Sequence, residues 1–183
     1  MSKIEKKIIA IGGVGVSPES DKELDNFIIN HSKKMKNNIG FLGTASKDDK
    51  EKINKFYKRF DNTSSELSHF NLTSDIDGFH EWLLSKDIVY VGGGNTFYML
   101  EIWKKNNLEQ VFKKAYEKGL ILSGVSAGAV CWFDWILSDS MGRGFEPLKG
   151  INLIKGSCTP HSDNIERINE FEFNIKNNKL PNG

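Results

Sequence analysis

The segment Ile88–Asn95 reads IVYVGGGN, in which four consecutive apolar residues run into three glycines. Consecutive apolar residues predict a strand that is buried on both faces, because a strand with one solvated face alternates apolar and polar positions. The glycines predict a turn at the strand's carboxyl end, where the backbone can come close to a ligand. The segment therefore predicts an inner strand of a sheet, with a binding turn at its end.

The same rhythm continues on both sides of this segment. Short apolar runs that end in small residues predict strands, and the amphipathic segments between them predict helices. The other predicted strands are Ile8–Ile11, Ile39–Leu42, Leu67–Leu72, Leu120–Leu122 and Ile151–Ile154, and the predicted helices begin near Ser17 or cover Lys52–Phe60, Phe97–Lys105 and Leu108–Lys118. Alternation of this kind indicates an α/β fold, a three-layer sandwich whose mainly parallel central sheet is flanked by helices.

Composition argues against several classes of partner and cofactor. The chain has 25 Lys and Arg against 24 Asp and Glu, without the clustered basic excess of a nucleic-acid surface. No apolar run has membrane length, so no membrane partner is expected. The two cysteines lack CxxC spacing, which argues against a disulfide framework and against a metal site, and indicates a reducing, cytoplasmic compartment. No cofactor is expected, and a homodimer is compatible with this composition.

The pentapeptide Gly124–Gly128, GVSAG, matches the Gly-x-Ser-x-Gly pattern of a nucleophile elbow. It lies where that pattern requires, after a predicted strand and before a predicted helix. Glycines on both sides of the serine relieve the clashes of a sharp turn, which would present Ser126 above the sheet. The amides at the start of the following helix would point back at the site and stabilise negative charge.

The glycine turn after the Ile88–Val91 strand is predicted to lie at the same sheet edge as Ser126, since ligands of parallel sheets bind beyond the carboxyl ends of the strands. An amide of Gly93 or Gly94 could then combine with that of Ala127 as an oxyanion hole. The alternative is a phosphate-binding turn. The chain has neither Gly-Lys-Ser/Thr nor GxGxxG in register, so a nucleotide loop is the poorer interpretation.

A serine nucleophile needs a general base, and the chain has four histidines. His31 falls in a predicted helix, His69 in a predicted strand and His80 among apolar neighbours. His161 lies in a loop after the predicted strand Ile151–Ile154, and it follows the elbow in the chain order expected for this kind of site. His161 is therefore the predicted base.

Three segments, Val91–Phe97, Gly124–Gly128 and Thr159–His161, occur in an order that resembles the peptidase E (aspartyl dipeptidase) family. That family has the class I glutamine amidotransferase-like fold, and the cyanophycinases are its relatives. The resemblance implies a serine exopeptidase that cleaves small peptides after an N-terminal aspartate, through an acyl-enzyme on Ser126 with His161 as base.

The resemblance also implies roles for four other positions. Asp139 matches an acidic position proposed as the third member of the triad. Asn95 and Thr96 belong to the family's glycine-turn motif and are expected to contact substrate. Arg167 matches the arginine that binds the aspartate carboxylate, a group that a guanidinium recognises well; a surface charge on a helix is an equal alternative for this residue.

Family members usually continue past a segment like Leu180–Gly183 into further strands that carry a Gly-flanked acidic residue. The chain is therefore expected to form a single peptidase E-like domain, residues 1–183, without those strands. Two alternatives stay open for the function. One is a cyanophycinase-like or other amide hydrolase with the same nucleophile, and the other is a binding homologue with weak or no catalysis.

Overall fold

The computed structural model describes residues 4–13 and 18–182. In chain order its strands are β1 (Ile8–Ile11), β2 (Asn38–Leu42), β3 (Glu66–Phe70), β4 (Ile88–Val91), β5 (Ile121–Val125), β6 (Phe133–Ser138), β7 (Glu146–Lys149) and β8 (Ile154–Cys158). Its helices are α1 (Pro18–Asn30), α2 (Lys50–Phe60), α3 (Phe79–Leu84), α4 (Thr96–Lys105), α5 (Leu108–Glu117), α6 (Ala127–Val130) and α7 (Ile165–Lys176). The predicted helix start at Ser17 lies outside the described residues.

The central sheet has five strands in the order β1-β5-β4-β2-β3, and every neighbouring pair is parallel. β4 is the middle strand, and all four of its residues are buried. Helices pack against both faces of this sheet. The predicted α/β fold, with a mainly parallel central sheet flanked by helices, is confirmed.

The two faces of β4 belong to two separate apolar clusters, as the alternation of side chains along a strand requires. Val89 and Val91 pack in a cluster with buried residues of α3, α4 and α5. Ile88 and Tyr90 pack in a second cluster with buried residues of α1 and α2. The clusters cover the sheet from both sides and leave its carboxyl edge open for the turns that follow β1, β4 and β5.

A second sheet of three strands, in the order β7-β6-β8, was not predicted. β6 is antiparallel to β7 and parallel to β8. The predicted strand Ile151–Ile154 is wrong in its bounds, because Ile151 and Leu153 donate their amides to the carbonyls of Cys131 and Trp132. The strand begins at Ile154 instead and ends just before the loop that carries His161.

β1 differs from its prediction as a strand buried on both faces. It lies at the edge of the central sheet and pairs with β5 alone, and its side chains range from half-buried to exposed. Within the described residues, no helix has the length and apolar character needed to cross a membrane.

Candidate active site

The turn after β5 and the loop after β8 both bond to the carboxyl end of β1. The amide of Ser126 donates to the carbonyl of Ile11 at 2.9 Å, and the amide of His161 donates to the carbonyl of Gly12 at 3.2 Å. Two segments far apart in the chain are thus fixed to one short piece of backbone. These bonds bring the predicted nucleophile and the predicted base to the same edge of the sheet.

Ser126 has a strained backbone, as the predicted nucleophile elbow requires, with φ of 53° and ψ of −113°. Such a conformation costs a non-glycine residue about 1–3 kcal/mol and persists only when its surroundings enforce it. Close packing of the turn does so here. A Cβ added at Gly128 would lie 2.1 Å from the carbonyl oxygen of Val91, and one at Gly124 would lie 2.4 Å from that of Gly128. A side chain at position 124 or 128 would collide with neighbouring backbone, so both positions require glycine.

The side chains of Ser126 and His161 are in hydrogen-bond contact, with Oγ 2.8 Å from Nε2. His161 has a φ of 56°, and its carbonyl accepts a bond of 3.0 Å from the amide of Asn164. The far ring nitrogen, Nδ1, is buried and has no hydrogen-bond partner among the described residues. The structure therefore brings the predicted nucleophile and the predicted base into direct contact.

Gly13, which the sequence analysis did not single out, packs against both reactive side chains. A Cβ at position 13 would lie 2.8 Å from Cε1 of His161 and 3.1 Å from Cβ of Ser126. Gly13 also has a φ of +91°, which disfavours other residues. A signal for Gly13 was present in the sequence. The β1 segment is followed by two glycines, just as the Ile88–Val91 segment is followed by three.

The two glycines considered for the oxyanion hole occupy different environments. Gly93 lies beside the nucleophile, since a Cβ there would be 3.3 Å from Cβ of Ser126. Gly94 packs against another turn, where a Cβ would lie 2.3 Å from the carbonyl oxygen of Ala45. In the described part of the chain, the amides of Gly93 and Ala127 make no hydrogen bond to protein. The geometry favours Gly93 over Gly94.

Asp139 and Arg167 contact each other and not the reactive pair. Nη2 of Arg167 donates to the Asp139 carboxylate at 2.8 Å, and the guanidinium lies 4.7 Å from the ring centre of Phe145. Arg167 is buried, so its charge needs a counter-ion, and Asp139 supplies one from the end of β6. The contact between Asp139 and His161 that a triad requires is absent among the described residues.

Asn95 and Thr96 also have structural contacts that the sequence did not predict. Asn95 caps α4, where its Oδ1 accepts from the amide of Tyr98 at 2.7 Å, and its Nδ2 donates to the carbonyl of Ser140 at 2.9 Å. Thr96 is buried at the start of the same helix. Neither side chain lines the pocket next to Ser126, and neither does Arg167.

A pocket of about 330 Å³ opens beside the reactive pair. Its floor is aromatic, and its other wall is a basic face of α2. The lining residues are Gly13, Phe41, Lys52, Lys55, Phe56, Arg59, Tyr90, Gly92, Gly93, Val125, Ser126 and His161. None of these described residues is an aspartate or glutamate, so the lining contains cations without a carboxylate.

The basic wall was missed by the sequence analysis, although a signal was present. Lys52, Lys55 and Arg59 recur at three- and four-residue intervals, the spacing of one helix face. The helix itself is predicted from its apolar positions, Ile53, Phe56, Tyr57 and Phe60. The basic residues flank those positions and line the pocket.

Cys131, which immediately follows α6, is not a second nucleophile. Its thiol is fully buried and donates to the carbonyl of Gly128 at 3.4 Å. Burial raises the pKa of the Cys131 thiol well above its ordinary value of 9.0. The described residues also contain no group of three or more His, Cys, Asp or Glu side chains able to hold a metal ion.

Comparison with known proteins identifies the family. The family model named peptidase family S51 matches residues 8–183. The chain is 40% identical over 163 residues to the uncharacterized peptidase YgaJ of Bacillus subtilis strain 168, covering 86% of this chain and 69% of that protein. It is 29% identical over 133 residues to the uncharacterized peptidase Lin0382 of Listeria innocua, covering 69% of this chain and 59% of that protein.

Solved structures share the fold at low sequence identity. A peptidase from an acI-B1 Actinobacterium superposes with a TM-score of 0.64 at 18% identity, covering 91% of this chain and 72% of that one. A Listeria monocytogenes EGD-e protein named as a "putative peptidase E" superposes with a TM-score of 0.61 at 16% identity, covering 82% and 76%. The family match and the 40% identical relative lead to one conclusion: this chain belongs to peptidase family S51, a family of serine peptidases.

Proposed function

We propose that this chain is a serine exopeptidase that hydrolyses small peptides with an N-terminal aspartate, using Ser126 as nucleophile and His161 as general base. The observation that carries the proposal is the 2.8 Å contact between Oγ of Ser126 and Nε2 of His161, made at a strained elbow. A serine hydroxyl is a weak nucleophile unless a base in hydrogen-bond contact removes its proton during attack. The contact supplies such a base.

The first half of the reaction forms an acyl-enzyme. Nε2 of His161 takes the hydroxyl proton while Oγ of Ser126 bonds to the substrate carbonyl carbon, and the carbonyl oxygen becomes an oxyanion. The amides of Gly93 and Ala127 would donate to that oxygen, a type of contact that contributes about 3 kcal/mol per donor. The tetrahedral intermediate then expels the leaving amine, which takes the proton from His161, and an ester on Ser126 remains.

The second half reverses these roles with water. His161 removes a proton from a water molecule while the water oxygen attacks the ester carbonyl. The same two amides would hold the new oxyanion. Collapse of this intermediate breaks the bond to Oγ, and the proton held by His161 returns to the serine. The products are a free acid and the unmodified enzyme.

Turnover of aspartyl dipeptides tests the proposal. We expect the wild-type protein to release aspartate from Asp-X dipeptides, and Ser126→Ala to lower kcat by about 10⁴-fold or more, because the acyl-enzyme cannot form. Circular dichroism of the variant provides the control for folding. Equal turnover by wild type and Ser126→Ala would rule out the mechanism.

One observation favours the alternative of a catalytically weak binding homologue. Among the described residues nothing accepts a hydrogen bond from Nδ1 of His161, and a histidine without an orienting group loses orders of magnitude in rate. This alternative predicts that the protein binds substrate without turnover and that Ser126 resists acylation. A panel of Asp-X, β-Asp-X and neutral peptides separates the exopeptidase from a cyanophycinase-like or other amide hydrolase.

A further inference from the structure

One face of α2 lines the pocket beside Ser126 and His161. Lys52, Lys55, Phe56 and Arg59 all line it. Their spacing of three, one and three residues places them on a single stripe of the helix, because residues three or four apart are neighbours on a helix surface. The rest of the buried side of α2, including Ile53 and Phe60, packs into the core and fixes the orientation of the stripe.

Lys52 is directed toward the reacting centre. Its ammonium donates to the carbonyl of Gly93 at 3.1 Å. Gly93 is the glycine whose Cβ position lies 3.3 Å from Cβ of Ser126. One positive charge is therefore held at the carbonyl of the glycine that packs beside Ser126.

Arg59 is paired with a carboxylate of the protein, and this determines which cations of the pocket are left to bind a ligand. Its Nε lies 2.7 Å from both carboxylate oxygens of the buried Asp25, and its guanidinium lies 5.4 Å from the ring centre of Tyr90. Asp25 balances the charge of Arg59. The uncompensated positive charge of the pocket therefore comes from Lys52 and Lys55, since no carboxylate is among its described lining residues.

We infer that Lys52 and Lys55 bind the acidic side chain of the substrate, and that they fill the role which the family resemblance gives to Arg167. This rests on the proposed function for the identity of the substrate. Arg167 is buried, paired with Asp139 and stacked on Phe145, and it does not line the pocket. A carboxylate that enters the pocket meets the two ammonium groups of α2 and an aromatic floor.

Binding to an inactive variant tests this without any need for turnover. In a Ser126→Ala background, calorimetry measures Kd for Asp-Leu and for Asn-Leu, which are close in size and differ in the charge of the first side chain. We expect Lys52→Gln/Lys55→Gln to weaken Asp-Leu about tenfold, because each lysine can make a charge-assisted hydrogen bond, and to leave Asn-Leu within about twofold.

Two further variants sharpen the result. Lys50→Gln removes the same charge from the same helix at an exposed residue that does not line the pocket, and it should leave the Asp-Leu to Asn-Leu ratio of Kd unchanged. Lys55→Gln alone tests the acid site without touching the Lys52–Gly93 bond. It should raise the Asp-Leu to Asn-Leu ratio of Kd, as the double variant does.

The inference is overturned if the parent does not prefer Asp-Leu to Asn-Leu, or if the double lysine variant keeps the parent's preference. These outcomes are distinct from failure of the proposed function, which is measured as turnover of Asp-X dipeptides by the wild-type protein and by Ser126→Ala. Suppose that Ser126→Ala loses turnover and that the lysine variants keep the parent's Asp-Leu to Asn-Leu ratio of Kd. The proposed function would then stand, and only the inference about Lys52 and Lys55 would be wrong. If the wild-type protein shows no turnover and the lysine variants lose the preference for Asp-Leu over Asn-Leu, the acid site is supported and the exopeptidase is contradicted.

Discussion

Close packing around Gly13 determines how near Ser126 and His161 can approach each other. Gly13 immediately follows the backbone carbonyl of Gly12, which accepts the bond from the amide of His161. The position is crowded by both reactive side chains, and its positive φ disfavours any residue with a Cβ. A single methyl group at this point would compete with the hydrogen bond that the proposed chemistry needs.

We therefore expect Gly13→Ala to reduce kcat by at least about a hundredfold, because a displacement of about 1 Å at a reacting centre costs that much. The expected mechanism is displacement of the imidazole from Oγ, so kcat should fall more than KM rises. Steady-state kinetics on an aspartyl substrate measures both parameters.

Gly78→Ala is the matched control for backbone strain. Gly78 also has a positive φ, of +76°, and no heavy atom lies within 4 Å of its Cβ position. Both variants should lose about 1 kcal/mol or more of unfolding free energy for the strained backbone. Gly13→Ala with the activity of Gly78→Ala would show that the contact with His161 has no effect on catalysis.

At this scale the sequence selected two residues, Ser126 and His161, that the structure places in contact, and it missed the residues packed around them. Ser126 could be found because the elbow pattern reflects local backbone chemistry, and His161 because it follows the elbow in the chain order expected for this kind of site. The roles carried over from the family to Asp139 and Arg167 depended on which side chains meet across two elements. Their spacing in the chain does not encode that they bond to each other.

At the scale of elements, the end of β6 and the first turn of α7 are joined by the ion pair of Asp139 and Arg167. Asn164 caps α7 by accepting from the amide of Arg167 at 3.1 Å, so the arginine is fixed by its backbone and its side chain together. The loop that carries His161 runs between β8 and this capped turn. The ion pair thus holds the helix that follows the loop of His161.

We expect Asp139→Asn to destabilise the fold and to leave the chemistry largely intact. Removing the carboxylate leaves the buried Arg167 without its counter-charge, which should cost about 1–3 kcal/mol, less than a fully buried pair because Asp139 is exposed to solvent. Urea denaturation measures this loss, and kcat should change by less than about tenfold.

A triad role for Asp139 predicts the opposite pattern. Replacing the orienting acid of a serine triad by its amide lowers kcat by about four orders of magnitude without disturbing the geometry. A loss of that size in a variant of normal stability would restore Asp139 to the catalytic site.

Element boundaries show why part of the fold could be predicted and part could not. β4 is a continuous apolar run and β5 begins within another, Leu120–Leu122, so these two inner strands of the main sheet could be predicted from the sequence. After the elbow the sequence predicts a helix, and the structure forms only the four-residue α6, which is followed by the unpredicted β6. Short apolar runs do not separate helix from strand, so tertiary pairing with β7 and β8 decided the outcome.

At the scale of the whole molecule, the site exists only when both sheets are formed. The parallel sheet supplies the ends of β1, β4 and β5, and β8 of the second sheet leads into the loop of His161. Ser126 and His161 are 35 residues apart in the chain, and the intervening segment contains β6, β7 and β8. The sequence predicted the first sheet and missed the second, so it placed His161 at the correct edge without the strands that bring it there.

The central claim is that this folded arrangement makes Ser126 a nucleophile that His161 activates. Reaction with a fluorophosphonate tests it most directly, because Oγ displaces fluoride and keeps a phosphonyl group that peptide mass spectrometry can locate. We expect one adduct, on Ser126, in the wild-type protein, none in Ser126→Ala, and labelling slowed by about 10²-fold or more in His161→Ala. A wild-type protein that stays unmodified, or an adduct that forms equally well without His161, would contradict the account.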